Sequence, residues 1–222
     1  EQVEGIKFPS MPGFNINEAT DILLKRDFDK YREIGEPHPF LVAKERDFLI
    51  PFSHEHFELW TQSLHFGAKD RLNFVDPKTN LKVGGGLDDV WLNINTNCLH
   101  IVDYKSTSQK SDKGPITLDD PWKASYKRQM DLYVWVLRKK GFHVDDVGYF
   151  LYCDGDRFSD YDFLSSTTAS MNFKITLIDY KTNDTWIEPT LQDISECLNE
   201  STRPQHSDYC EYGKFLTQSL NQ

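Results

Sequence analysis

The chain has 222 residues, 38% of them hydrophobic and 14% aromatic, with 25 Lys or Arg against 35 Asp or Glu and a formal net charge of −10. That length suits a single domain with one sizeable core, and the aromatic content excludes a disordered chain. The longest apolar runs, such as Leu132–Leu137, fall far short of the roughly 20 residues a spanning helix needs, so no membrane association is expected.

The charge is unevenly spread. Residues 105–140 carry nine Lys or Arg against four Asp or Glu, whereas the stretches on either side are acidic. A local positive field on an acidic protein is compatible with a phosphate backbone as ligand, and equally with a helix that has a solvated basic face. Glu1–Ser10 is charged and lacks the apolar centre of a signal peptide, so a cytoplasmic protein is expected. The cysteines at 98, 153, 197 and 210 form no CxxC pair, which signals neither a zinc knuckle nor a disulfide framework.

In chain order, residues 1–13 read as an extended lead-in. Asn15 to Gly35 reads as a helix, with an Asn cap, Glu18 in the first turn and apolar positions Ala19, Ile22, Leu23, Phe28 and Tyr31. Phe48 to Phe52 is too short to type. Ser53 to Phe66 reads as a second helix, placing Phe57, Trp60 and Leu64 on one side with His54, His56 and His65 among them. Asp76-Pro77-Lys78-Thr79-Asn80 is a turn, followed by a strand over about Leu81–Ile94, the turn Asn95-Thr96-Asn97 and a returning strand over Cys98–Ser106.

Residues 107–119 form a polar loop. Asp119 or Asp120 caps the most strongly marked helix, which has Pro121 in its first turn, runs to Lys140 and stops at Gly141. Its apolar stripe collects Trp122, Tyr126, Gln129, Met130, Tyr133, Val136 and Leu137. Strands at about Val147–Cys153 and Phe173–Tyr180 follow, then a last helix over Pro189–Leu198 and a tail from Arg203. One domain over residues 1–222 is expected, with its core at about 15–202 and the tail at 203–222.

Side chains alternate along a strand. Asp88 therefore shares a face with Val90, Leu92 and Ile94, and Asp103 and Lys105 share one with Leu99 and Ile101. Each apolar row ends in charge, which calls for a partner. Two carboxylates brought together suit a hard divalent cation, with Tyr104 offering a main-chain carbonyl. Such an ion would polarise a phosphate and acidify a bound water, and Lys105 would position that water or neutralise developing charge. Gln129 and Tyr133 lie one helical turn apart. They would orient the lysine side or meet the backbone of a nucleic acid.

Gly85-Gly86-Leu87-Asp88-Asp89-Val90, Ile101-Val102-Asp103-Tyr104-Lys105-Ser106 and Gln129-Met130-Asp131-Leu132-Tyr133 resemble three successive motifs of the RecB-like branch of the PD-(D/E)XK nuclease superfamily. The motifs are G-x-[LI]-D, then [DE]-x-K after a hydrophobic run, then Q-x-x-x-Y on the next helix. The resemblance extends over about residues 15–215. It implies an α/β fold with a restriction-endonuclease-like core, a central mixed β-sheet flanked by α-helices. It implies metal ligation by Asp88, Asp103 and the Tyr104 carbonyl, a catalytic role for Lys105, and supporting roles for Gln129 and Tyr133.

The family often adds an upstream His or Glu from a helix, for which His54 is the choice here and Glu58 and His65 the rivals. The implied cofactor is Mg2+, with Mn2+ as a substitute. Some RecB-like nucleases hold an iron-sulfur cluster through a C-x-x-C-x-Y-like tail. Gly213 stands where the second Cys of such a tail would be, and no Cys precedes residue 98, so no iron-sulfur cluster is expected. The implied substrate is nucleic acid, DNA favoured over RNA, and any helicase or other protein partner is expected on a separate chain. The alternatives left open are a catalytically silent nucleic-acid-binding or assembly subunit and a phosphodiesterase of small nucleotides.

Overall fold

The computed structural model describes residues 15–61, 72–109, 114–158, 160–202 and 204–220. The chain divides into two compact units, residues up to 74 together with 82–184, and residues 75–81 together with 185–222.

The first unit is built on a five-stranded sheet of order β1 (Leu49–Pro51), β4 (Asp89–Asn93), β5 (Cys98–Thr107), β6 (Val147–Gly155) and β7 (Phe173–Lys181), mixed in direction and flanked by helices, as the resemblance implies. Helix α1 (Asn15–Ile34) has the expected bounds and stops where Gly35 adopts φ 69°. Helix α2 (Pro39–Ala43) is capped by His38, whose Nδ1 accepts from the Phe40 amide at 3.0 Å. The untyped segment becomes the edge strand β1 (Leu49–Pro51), antiparallel to β4.

Of the helix expected over Ser53–Phe66, the described residues form α3 (Phe57–Trp60). Residues 53–56 supply no apolar position to pack. The rest of that expectation, His65 included, lies outside the described residues.

The long strand expected over Leu81–Ile94 is interrupted. Strand β3 (Lys82–Gly84) pairs with β2 (Asn73–Val75) in a separate ribbon, and β4 (Asp89–Asn93) starts only after four further residues. The glycines explain the break. A Cβ on Gly84 would collide with the Leu72 carbonyl, so the backbone is pressed against that neighbour, to which the Gly85 amide also donates at 3.1 Å.

Strand β4 returns through the expected turn as β5 (Cys98–Thr107), with Asp89 opposite Val102 and Val90 opposite Ile101. Strand β6 (Val147–Gly155) runs parallel to β5, and β7 (Phe173–Lys181) runs antiparallel to β6. A parallel pair needs a crossover. Here it is α4 (Ala124–Lys139), entered through a 3-10 turn at Pro121–Lys123 and stopped by Gly141 at φ 91°.

Both sheet faces are covered. On one, Phe28 of α1 packs with Leu41, Leu49, Trp91, Val102, Tyr104, Tyr149 and Leu151. On the other, Met130 of α4 lies so close to Gly148 that a Cβ there would be 2.6 Å from its sulfur. With both faces covered, Asp89 and Trp91 on one face are as buried as Val90 on the other. Trp122 departs from the expected stripe. It sits on the 3-10 turn, whose tighter pitch breaks the helical period, and its side chain is 58% exposed.

In the second unit α5 (Ile187–Asn199) begins two residues before the expected start, with Pro189 in its first turn where no amide partner is needed. The expected tail forms a further helix, α6 (Glu211–Leu220). Lys78 pairs with Glu188 at 3.1 Å. No helix among the described residues is long and apolar enough to cross a membrane.

Candidate active site

The register of the hairpin builds the site. Continuing the pairing of Asp89 with Val102 by one step sets Asp88 opposite Asp103, on the face shared by Val90 and Ile101. Asp88 lies just before β4, and its Oδ2 accepts from the Tyr104 amide at 2.8 Å. The Lys105 ammonium forms an ion pair with Asp103 and donates to the Tyr104 carbonyl at 3.3 Å. Its other side lies over the Tyr126 ring, 4.7 Å from the centroid. Asp88, Asp103, Tyr104 and Lys105 are thus brought together.

The electrostatics are those of two carboxyls forced into one dry place. Burial pushes Asp103 up to about 7, with Lys105 pulling it down and Asp88 pushing it further up. Burial also raises Asp88, against Lys105 and the Tyr104 amide. For Lys105 burial disfavours the charge, but Asp103 and Asp88 outweigh it and hold the ammonium above its ordinary value. The lysine is therefore a fixed cation and not a proton acceptor at neutral pH.

Gln129 and Tyr133 form a pair of their own on α4, with the Gln129 side-chain amide donating to the Tyr133 hydroxyl at 2.9 Å. Burial pushes Tyr133 up to about 12, and Asp103 and Asp88 act on it in the same direction. The ring also locks onto the first motif, since a Cβ at Gly85 would stand 2.7 Å from Tyr133 Cε1. Gly85 is required at that point because a tyrosine occupies the space where its side chain would be.

Two residues that sequence reasoning passed over complete the arrangement. Asp21 of α1 is pushed up to about 6, first by burial and then by the Asp88 carboxylate, against Lys105 and a hydrogen bond from Ser106. Its Oδ1 is buried with no hydrogen-bond partner among the described residues. Thr20 beside it bonds the Ser106 hydroxyl, which ties the helix to β5. A single Asp among the charges of an amphipathic helix gave no sequence signal.

The second is Asp89, fully buried on the opposite face. It accepts from Arg32 Nη2 at 2.5 Å, the Tyr104 hydroxyl at 2.7 Å and Trp91 Nε1 at 3.2 Å. Arg32 also donates to the Phe52 carbonyl and lies over the Phe57 ring, 3.8 Å from its centroid. The GLDD stretch therefore splits its two carboxylates between the two faces of the sheet. His54 sits in an aromatic nest, stacked on Trp60 at 4.6 Å and edge-on to Phe142 at 5.4 Å, with its Nδ1 accepting from the His56 amide at 3.1 Å. Glu58 is exposed on α3.

No three His, Cys, Asp or Glu side chains among the described residues converge as a ready-made metal cage. The donor set nevertheless fits a hard divalent cation. Two adjoining buried carboxyls repel one another, the single Lys105 ammonium acts on both, and the Tyr104 carbonyl lies alongside. Two carboxylates and a carbonyl, completed by water and a substrate phosphate, is the ligation Mg2+ commonly takes.

A family model for the PD-(D/E)XK nuclease superfamily matches residues 17–215. No curated protein and no solved structure gives a match.

Proposed function

The chain belongs to the PD-(D/E)XK nuclease superfamily, and on that premise we propose that it is a Mg2+-dependent nuclease of the RecB-like branch, acting on DNA in preference to RNA. The observation that carries this reading is the juxtaposition of Asp88, Asp103 and Lys105 in one buried cluster. The branch assignment is supported by Gln129 and Tyr133, whose side chains bond to each other four residues apart on α4.

Asp88 and Asp103 hold the cation, with the Tyr104 carbonyl as a third donor, and Asp21, not His54, is the upstream residue that acts on the site, beside the direct ligands and not among them. Asp21 is supported by its orphaned buried oxygen and its coupling to Asp88 and Lys105. The aromatic stacking of His54 gives that residue a packing role. When bound, a divalent cation polarises the scissile phosphate and acidifies a water.

The chain's own residues do the rest. Lys105 is clamped between Asp103 and the Tyr126 ring and presents fixed positive charge where the phosphate becomes more negative. Tyr133 stays protonated and, with Gln129, offers hydrogen bonds to the strand beside the reacting phosphate. Water attacks phosphorus and gives up a proton to the solvent, the bond to the leaving oxygen breaks, and that oxygen takes a proton from the solvent and departs as a hydroxyl.

The test is cleavage of labelled oligonucleotides with Mg2+ or Mn2+ and with EDTA, comparing Asp21→Asn with His54→Ala. The reading requires metal-dependent cleavage that falls at least about tenfold in Asp21→Asn. His54→Ala should keep its metal dependence and lose thermal stability. Cleavage indifferent to EDTA would refute the reading, and a His54→Ala protein that folds but binds no metal would return His54 to the ligand set.

A further inference from the structure

Trp122 is a large aromatic ring left 58% exposed at the edge of the site. Its backbone is fixed by the 3-10 turn and by Ser125, whose hydroxyl donates to the Trp122 carbonyl at 2.9 Å. Its edge meets Tyr126 at 84°, and Tyr126 is the ring that carries Lys105. The Lys123 ammonium lies over the indole, 5.1 Å from the ring centroid, while donating to the Thr117 carbonyl and pairing with Asp120. An aromatic path therefore leads from Lys105 through Tyr126 to an exposed and rigidly held indole.

That indole lines a groove of about 320 Å³ together with Thr107, Tyr152 and Arg157. Thr107 continues the face of β5 that carries Asp103 and Lys105, and Tyr152 is the register partner of Lys105 on β6. The groove is thus the direct extension of the catalytic face. Two residues along a strand span roughly 7 Å, a distance of the order of one nucleotide.

Arg157 and Gln109 also line a second groove of about 700 Å³, which adds Lys44 and Lys174. Arg157, Lys44 and Lys174 are exposed, and among the described residues none of them has a carboxylate partner. The acidic residues nearby are committed to local structure. Asp120 pairs with Lys123, Asp154 accepts from the Gln109 amide at 2.9 Å, and Asp156 accepts from the Phe158 amide at 3.0 Å. Over the two grooves Lys44, Lys123, Arg157 and Lys174 stand against Asp120, Asp154 and Asp156, a balance of one positive charge on a protein of net charge −10.

We infer that this path is the track of a single-stranded nucleic acid, with an unpaired base next to the scissile phosphate stacked on Trp122 and the following phosphates on Arg157, Lys174 and Lys44. The inference rests on the nuclease reading for the position of the scissile phosphate. It goes beyond that reading in the substrate form. In a duplex the base faces are stacked and paired, so an indole beside the backbone has nothing to stack on, whereas every unpaired base offers a ring face. A cation-lined groove with an aromatic platform is the chemistry of single-strand binding, and a duplex would use the cations alone.

The test is binding, in a Lys105→Ala background so that the strand is not consumed. Fluorescein-labelled oligothymidylate, oligouridylate, an abasic strand and a blunt duplex are titrated in Mg2+ against the parent, Trp122→Ala and Trp122→Phe. The expected result is that Trp122→Ala weakens one or both base-bearing strands by about tenfold or more, Trp122→Phe restores most of the loss, and the abasic strand and the duplex are indifferent to the substitution. Circular dichroism shows that the variant is folded. Equal affinity of parent and Trp122→Ala for both base-bearing strands, or an equal loss on the duplex, overturns the inference. Trp122-dependent binding by a protein whose Lys105-containing form never cleaves would sustain the track and defeat the nuclease reading. Cleavage without any effect of Trp122→Ala would do the reverse.

Discussion

The Tyr104 amide donates to Asp88 Oδ2 at 2.8 Å, so the carboxylate of the first motif is held by the strand that carries the second. Removing the acceptor and removing the charge should therefore have different effects. Asp88→Ala leaves a buried amide without a partner and should cost about 1–3 kcal/mol. Asp88→Asn keeps an acceptor and relieves repulsion with Asp103, so in EDTA it should be at least as stable as the parent. Both should lose the thermal stabilisation that Mn2+ gives the parent, as read by melting with and without the ion.

The raised carboxyls fix the sign of a pH dependence. Asp103 is pushed up to about 7 and Asp21 up to about 6, both from 3.8. Between the unfolded and folded values the native state holds protons that the unfolded chain has released, so the stability these groups contribute is full at low pH and is lost as pH rises. Metal-free protein should weaken from about pH 4 to about pH 7 relative to Asp103→Asn, which lacks the titrating group. Stabilisation by Mn2+ should grow over the same interval, because the ion displaces those protons. Melting curves across the range, with EDTA and with Mn2+, read both trends.

Arg32 and Asp89 tie α1 to the sheet through a pair whose carboxylate is fully buried. Deleting the cation alone strands that charge, so Arg32→Met should cost about 3–5 kcal/mol in urea unfolding. Arg32→Met with Asp89→Asn should cost much less than the two single losses added, since neither variant then leaves an unpaired charge. Additive losses would mean that the pair does not act as one unit.

The pattern of the candidate site was legible because alternation along two short strands is a local property. Asp88, Asp103 and Lys105 can be placed on one face from residues 84–106 alone, and Gln129 with Tyr133 from helical spacing. The fold class followed from the same motifs, and the mixed sheet bears it out. What could not be read depends on distant chain. Asp21 acquires its meaning from Ser106 and Asp88, and Asp89 from Arg32 fifty-seven residues earlier. The break between β3 and β4 comes from a carbonyl at Leu72 and a ring at Tyr133, neither visible in the run of glycines. Trp122 read as a core residue because its spacing is helical, but the chain there is a 3-10 turn.

Lys105 separates chemistry from scaffold most directly. Its ammonium sits between Asp103 and the Tyr126 ring, so Lys105→Ala removes the fixed cation while leaving both carboxylates and the hairpin register in place. End-labelled single-stranded and duplex DNA, and RNA, are incubated with parent and variant in Mg2+, Mn2+ or EDTA, alongside Mn2+-dependent melting of both proteins. The account predicts metal-dependent cleavage by the parent, reduced at least about a hundredfold in Lys105→Ala while the Mn2+ shift persists. A parent that is inert on every substrate with both metals, or a variant that cleaves as fast as the parent, would contradict it.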